Sequence, residues 1–247
     1  MKKAVLLFGS ILAVGSIFAL PPISQNPRYH DFANHAEHFG IVNFWNVISN
    51  AAFLLVALAA WHALRLGDEA EEIWKKNSVR GLLLGIGLTA FGSAYYHCQP
   101  SYARLLWDRL PMTIVFMCVF TLTIGERIDA RLASRLLWPL LVLGIASVFY
   151  WRWTGDLRLY ALVQFYPLLA VPLMLLFCPA GATSVAAQWG MIGCYGLAKL
   201  AEMFDSKWQN AVPAGAHAWK HLFVATGLLL YTQALIRTSR SDKQTTS

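Results

Sequence analysis

The sequence predicts an all-α polytopic membrane protein, a seven-transmembrane helical bundle with one N-terminal apolar helix before it. Of the 247 residues, 57% are hydrophobic and 13% are charged, whereas about 25% of residues are charged in soluble domains. Apolar runs of roughly 17 to 25 residues alternate with short polar loops, which is the pattern of helices that cross a bilayer. These runs use most of the chain and leave no room for a soluble domain.

The first element is the apolar stretch 4–20, which follows two lysines and ends at two prolines. A basic start, an apolar core and a small residue near its end fit a signal peptide, while the length also suits a short retained helix. Residues 1–22 are therefore predicted to be an N-terminal transmembrane helix or a signal peptide. In both cases the outer polar loop, residues 23–42, lies on the far side of the membrane.

A seven-helix domain is predicted over residues 43–237, with a hydrophilic tail at 238–247. The first span opens with Asn43 and Asn46 and carries Ser49 one turn later, and such groups can hydrogen-bond between helices. The second span is rich in glycine, which lets helices approach closely. The predicted spans are 43–66, 79–97, 110–127, 136–151, 159–178, 185–204 and 217–236.

The distribution of Lys and Arg predicts the orientation. With the N-terminus inside, more basic residues fall in the inside segments than in the outside ones, as the positive-inside rule requires. The end of the second span and the start of the seventh then lie at the outer face. The net charge of +7 does not indicate nucleic-acid binding, because the basic residues lie at span ends and form no stripe interleaved with aromatic residues.

Three histidines lie at these outer helix ends. His217 and His221 are four residues apart at the start of the last span, so they share one helix face, and His97 ends the second span. Each could simply bond to a carbonyl or a neighbouring helix. Ionisable residues inside a membrane nevertheless indicate a functional site, and three His with a free fourth position are the ligands of a catalytic zinc. The pattern therefore favours a Zn²⁺ site.

A carboxylate and a hydroxyl accompany the histidines. Asp108 lies between two arginines near the start of the third span; it either pairs with them or acts as a general base beside a metal. Ser93 stands one turn before His97, where it either packs against a neighbour, orients a water or stabilises an oxyanion. Spacing alone leaves these alternatives open.

Lys199, Glu202 and Asp205 recur at every third residue near the outer end of the sixth span. They are predicted to form an ion-paired stripe that faces the bundle interior. In the alternative, Glu202 or Asp205 accepts the ring N–H of a metal ligand, since zinc-bound His commonly has such a partner.

Five sequence blocks together resemble the alkaline ceramidases, the family that includes the alkaline phytoceramidases. They are GSAYYH, WDRLPMT, HAWKH, FWNVISN and GDLRLYALVQFYP. The likeness covers residues 29–236 and is closest to the bacterial members with an added N-terminal helix. A wider superfamily, with the progestin and adipoQ receptors and haemolysin-III-like proteins, shares the SxxxH, Asp and HxxxH pattern.

The resemblance implies zinc at His97, His217 and His221, with Ser93 and Asp108 in catalytic support. It implies a zinc-dependent amidohydrolase that cleaves the amide of ceramide, a membrane lipid, to a sphingoid base and a fatty acid. The likeness to bacterial members implies an integral protein of the bacterial inner membrane, and the orientation predicted from the basic residues places the site in its outer, periplasmic half. An acyl chain would then lie between helices, beside aromatic residues that include Tyr160 and Tyr166.

The eukaryotic ceramidases also carry a Ca²⁺ site before the first core span. The positions that match it are Asp31, Phe32, Asn34 and Asn43, and Asn replaces an acidic residue at two of them. Calcium prefers several hard oxygen ligands, so the sequence gives calcium little support.

Another class of protein also fits the pattern: a receptor-like or haemolysin-III-like membrane protein with a structural zinc. Structural zinc is closed by four protein ligands, so coordination by Asp108 or by Cys98 would favour it. Because adjacent helix residues diverge by about 100°, Cys98 faces away from His97.

Overall fold

The computed structural model describes the backbone of residues 2–65, 72–208 and 211–244. Within it, the side chains of 7–64, 72–208 and 211–238 are described. Regular structure in these residues is helical, and β pairing is limited to isolated bridges such as His38 with Ile41. The predicted all-α class is therefore confirmed. The helices are α1 (Lys2–Ala19), α2 (Phe44–Ile48), α3 (Ala51–Arg65), α4 (Ile73–Cys98), α5 (Tyr102–Arg127), α6 (Ala130–Thr154), α7 (Arg158–Phe177), α8 (Val185–Met203), α9 (Asp205–Trp208) and α10 (Ala216–Gln244), with a 3-10 turn at Pro27–His30.

Six of the predicted spans each coincide with one helix, whereas the described part of the first span, 43–66, contains two, α2 and α3, separated at residues 49 and 50. Several helices are longer than the apolar run that predicts them. The third span was predicted from 110, whereas α5 already begins at Tyr102. Charged side chains interrupt an apolar run without interrupting a helix, because Arg and Asp have ordinary helix propensities. For the same reason α10 continues from the apolar span into the predicted tail, as far as Gln244.

Four of the described helical segments are long and apolar enough to cross a membrane: Phe44–Leu64, Tyr102–Arg127, Ala130–Thr154 and Arg158–Phe177. Large apolar side chains such as Trp138 and Phe177 are exposed on them or at their ends, as expected where lipid replaces water. The helical class and four candidate membrane spans are thus found among the described residues, while the number seven stays a prediction.

The chain forms two compact units. The first contains the described residues up to Pro27, Glu72–Leu82 and Met112–Ala182; the second contains those of Arg28–Glu71, Leu83–Pro111 and Thr183–Ser247. Helices α4 and α5 contribute to both.

In the first unit, α7 packs against α1 and α6. Arg158 forms an ion pair with Asp156 at 2.8 Å and donates to the carbonyl of Leu20 at 2.6 Å. Its guanidinium holds the pKa of the Asp156 carboxyl at about 2, below the usual value. The segment after α1 is thereby joined to the start of α7.

In the second unit, α10 is the central helix and packs against α8, α3, α2 and α9. Small residues permit this contact: a Cβ on Gly227 of α10 would lie 2.9 Å from the Cβ of Cys194 on α8. This unit carries all of the predicted metal ligands.

Candidate functional site

The three predicted ligands come together where α4 ends and α10 begins. His97, His217 and His221 are 1%, 5% and 3% exposed. One nitrogen from each lies within 4.8 Å of the others, and the ring centroids are 4.8 to 5.1 Å apart. Residues far apart in sequence therefore form one buried group that is able to hold a metal ion.

The hydrogen bonding of these rings fits a cation. His97 Nδ1 and His217 Nε2 are buried without a hydrogen-bond partner among the described residues, although buried polar atoms are nearly always paired. His221 Nδ1 instead lies 2.8 Å from the hydroxyl oxygen of Ser49. A divalent metal with a preference for imidazole would satisfy the unpaired nitrogens, and zinc has that preference.

Two polar residues at the start of the first core span contact the ligands. Ser49 contacts His221, and Asn43 donates from Nδ2 to the carbonyl oxygen of His97 at 2.9 Å. Asn43 has φ 53°, a left-handed conformation that Asn adopts more readily than most residues. The prediction that these polar groups bond between helices is confirmed for Asn43 and Ser49, and both bond to residues predicted to be metal ligands.

Ser93 and Asp108 meet beside the histidines. They are 2% and 6% exposed, and the Ser93 hydroxyl donates to the Asp108 carboxyl group. Ser93 lies one helical turn before His97, so this pair adjoins the ligand group. Asp108 lies in the second turn of α5, because that helix begins at Tyr102.

Gly92 makes this meeting possible. A Cβ at this position would lie 2.1 Å from the carbonyl oxygen of Trp107 and 3.5 Å from Pro111 Cγ. Pro111 has no N–H to donate to that carbonyl four residues earlier, so the oxygen is available for close contact with α4. Gly92 and Trp107 immediately precede Ser93 and Asp108, so the contact between backbones determines how closely those two side chains approach.

Glu202 holds two ammonium groups. Its carboxylate accepts from Lys199 at 2.7 Å and from Lys220 at 2.8 Å, and the hydroxyl of Tyr29 donates to it at 3.4 Å. The predicted ion pair between Lys199 and Glu202 is present. The second partner of Glu202, Lys220, lies within the HxxxH segment and was not among the predicted site residues.

Asp205 hydrogen-bonds to backbone groups. Its carboxylate oxygens accept from the N–H of His217 and of Ala33, each at 2.9 Å. Among the described residues, neither Glu202 nor Asp205 hydrogen-bonds to the ring of a predicted ligand. The ring of His221 has the hydroxyl of Ser49 as its partner instead. Asp205, the first residue of α9, caps the start of α10, whose first N–H groups lack partners within the helix.

The segment before α2 covers the ligands. The Phe32 ring centroid is 4.7 Å from that of His97 and 4.4 Å from that of His217. His30 Nδ1 lies 2.9 Å from the Tyr96 hydroxyl, and burial lowers the pKa of His30, with the charge of Arg109 adding to the effect.

The positions matched to calcium ligands have other contacts here. The side-chain oxygen of Asn34 accepts from the Ala36 N–H at 3.0 Å, and that of Asn43 pairs with His35 at 3.1 Å. Asp31 is exposed.

The predicted acyl-chain residues belong to the first unit. Tyr160 is 5% exposed. The Tyr166 hydroxyl lies 2.8 Å from Ser10 Oγ, and its ring packs against Phe120. Contact of either residue with a lipid stays a prediction.

A family comparison adds to this geometry. A profile of the ceramidase family matches residues 33–187, which include Ser93, His97 and Asp108 but not the HxxxH segment. No curated protein matches the chain. Because the matched region is more than half of the sequence, this protein belongs to the ceramidase family, whose members are hydrolases that act on the amide bond of a lipid.

Proposed function

We propose that this protein is a zinc-dependent intramembrane hydrolase that cleaves ceramide or a related N-acyl lipid to a free amine lipid and a fatty acid. The buried three-histidine group carries this proposal. Catalytic zinc has three protein ligands and an open position, whereas structural zinc has four protein ligands. Among the described residues the group consists of His97, His217 and His221, and the neighbouring Cys98 is exposed.

Bound zinc would supply a Lewis acid that acidifies water and polarises the amide carbonyl. In the proposed reaction water is added across the amide: the C–N bond breaks, the carbonyl carbon gains a hydroxyl group and the nitrogen gains a proton. Asp108 accepts the proton at a carboxylate oxygen and returns it to the leaving nitrogen, as a general base and then a general acid.

Ser93 would orient this base. Its hydroxyl donates to the Asp108 carboxyl group, and this bond would fix the orientation of the carboxylate for proton transfer. If the hydroxyl turns toward the substrate, it can donate to the oxyanion instead.

The surroundings suit a lipid substrate. Phe32 packs over the ligand rings and excludes water on that side. We place the reaction in the outer half of a bacterial inner membrane, where the substrate is already present, and assign Tyr160 and Tyr166 to the acyl chain. Zinc is the proposed metal; the two Asn at the calcium positions argue against Ca²⁺.

Purified protein incubated with a panel of N-acyl lipids tests the proposal through release of fatty acid. A chelator should abolish release and zinc should restore it. His217→Ala should lose both bound zinc and activity, whereas His62→Ala, at an exposed position of α3, should keep both. Full activity in a zinc-free His217→Ala protein would discard the mechanism. Full zinc content with no hydrolysis of any amide would discard the hydrolase.

A further inference from the structure

The run from Asn43 to Asn50 buries a row of carboxamides. Asn43, Asn46 and Asn50 are 4%, 1% and 0% exposed, whereas Trp45 and Ile48 are 37% and 47% exposed. The asparagines therefore form the inward face of α2 and its ends, and the apolar side chains form the outward face. In a membrane span this arrangement is expected, because lipid covers the apolar side chains and polar side chains face the protein interior.

Asn46 lies between two residues that contact metal ligands. Asn43, three residues earlier, donates to the carbonyl of His97, and Ser49, three residues later, contacts His221. Helix residues three apart are neighbours on one face, and α2 packs against α10. The Asn46 side chain thus lies on the face that is directed at the metal-binding group.

The carboxamide of Asn46 has no hydrogen-bond partner in the part of the chain that the structure describes. Both Oδ1 and Nδ2 are buried and unpaired among the described residues, and a buried polar group without a partner destabilises the fold. A metal ion would satisfy the unpaired nitrogens of His97 and His217, but it leaves the Asn46 donor and acceptor unexplained. Asn50 adds another unpaired acceptor, Oδ1, while its Nδ2 donates to the Asn46 carbonyl at 2.7 Å.

We propose that Asn46 binds the polar end of the lipid. Its Oδ1 accepts the N–H of the scissile amide, and its Nδ2 donates to a hydroxyl on the adjacent carbon of the amine portion. In a trans amide the N–H and C=O point in opposite directions. The hydrogen bond that Asn46 Nδ2 donates must therefore reach an acceptor on the N–H side of the substrate, in its amine portion. The substrate class is therefore an N-acylated amino alcohol, a class that includes ceramide. This inference rests on the amide hydrolysis proposed above.

A binding role and a structural role predict opposite effects on stability. Asn46→Leu replaces both polar atoms with methyl groups, and removing unpaired buried polar atoms is neutral or stabilising. If Asn46 serves the substrate, the variant keeps or raises the melting temperature and loses activity. If a buried water ties Asn46 into the fold, the variant loses melting temperature. Asn46→Ala, which cannot overpack the site, is measured in parallel.

The test compares wild type and both variants in zinc content, melting temperature and kcat/KM. The substrates are an N-acyl amino alcohol and an N-acyl alkylamine with the same acyl chain. We expect full zinc content and unchanged stability, with kcat/KM reduced about tenfold or more for the amino alcohol and less for the alkylamine. Unchanged kcat/KM, equal losses for both substrates, or loss of zinc or stability in both variants would overturn the assignment.

Binding without turnover separates this inference from the proposed function. Asp108→Asn, which removes the proposed base, is combined with each Asn46 variant, and N-hexanoylsphingosine binding is measured on the metal-loaded chain. Binding about tenfold weaker than in Asp108→Asn alone supports the assignment; equal binding overturns it. Failure of the wild type to hydrolyse any amide counts against the proposed function only.

Discussion

Replacing Gly92 by alanine should separate Ser93 from Asp108. The new Cβ would lie 2.1 Å from the Trp107 carbonyl oxygen, whereas real Cβ contacts are almost never below 3.0 Å. The atom in the way belongs to the backbone, so α4 and α5 must move apart by about 1 Å, because packed interiors leave no free space. A hydrogen bond of about 2.7 Å lengthened by that amount exceeds the limit of about 3.5 Å.

Loss of this geometry should lower kcat/KM about 10²-fold, the effect of a misplacement of about 1 Å near the reacting groups. The assay is fatty-acid release from an N-acyl lipid, with zinc content measured on the same samples. Zinc should be retained, since none of its proposed ligands lies on α5, which can take up the displacement.

Gly87→Ala is the matched control on the same helix. Its Cβ would lie 3.7 Å from the Cβ of Ala57, an ordinary contact. This variant also loses a helical glycine, which should stabilise it by about 0.5–1 kcal/mol, and its activity should be unchanged. Equal activity in Gly92→Ala and Gly87→Ala would refute the reasoning.

The other expectations concern Ser49 and Asp156. Ser49→Ala should weaken zinc binding about 10- to 100-fold, since the hydroxyl orients His221, and Ser49→Thr, which keeps the hydroxyl, should bind as wild type does; competition with a chelator measures both, and equal affinities would contradict this role. The pKa of Asp156 is about 2 in the folded protein and 3.8 ordinarily. Its stabilisation is therefore complete above about pH 4 and lost as the pH falls toward 2. Asp156→Asn should flatten the dependence of melting temperature on pH in this range, and an unchanged slope would contradict the assignment.

Much of the fold and of the metal-binding group follows from local patterns in the sequence. Apolar run length predicts the helices, because each span must satisfy its backbone groups internally. The spacing of His217 and His221 places both on one face, and orientation by basic residues places His97 at the same level. The group that results is the one the structure contains.

The remaining contacts depend on packing between segments far apart in sequence. Lys220 lies three residues after His217, so its spacing places it near the face of the histidines, but its pairing with Glu202 on α8 depends on packing between distant segments. In the sequence Gly92 is like any other small residue of a membrane helix. Only the structure shows that the Trp107 carbonyl oxygen lies against it. Nothing in the sequence indicates that the side-chain amide of Asn46 lacks a hydrogen-bond partner among the described residues.

The segment from Tyr29 to Ala33 determines which contacts the protein would keep if its first helix were cleaved off. It contributes the Tyr29 bond to Glu202, the Phe32 ring over His97 and the Ala33 bond to Asp205. Proteolytic removal of residues 1–22 would therefore leave every one of these contacts whole. It would cost the first unit the packing of α1 on α7, so processing would lower the stability of that unit and leave the contacts around the three histidines unchanged.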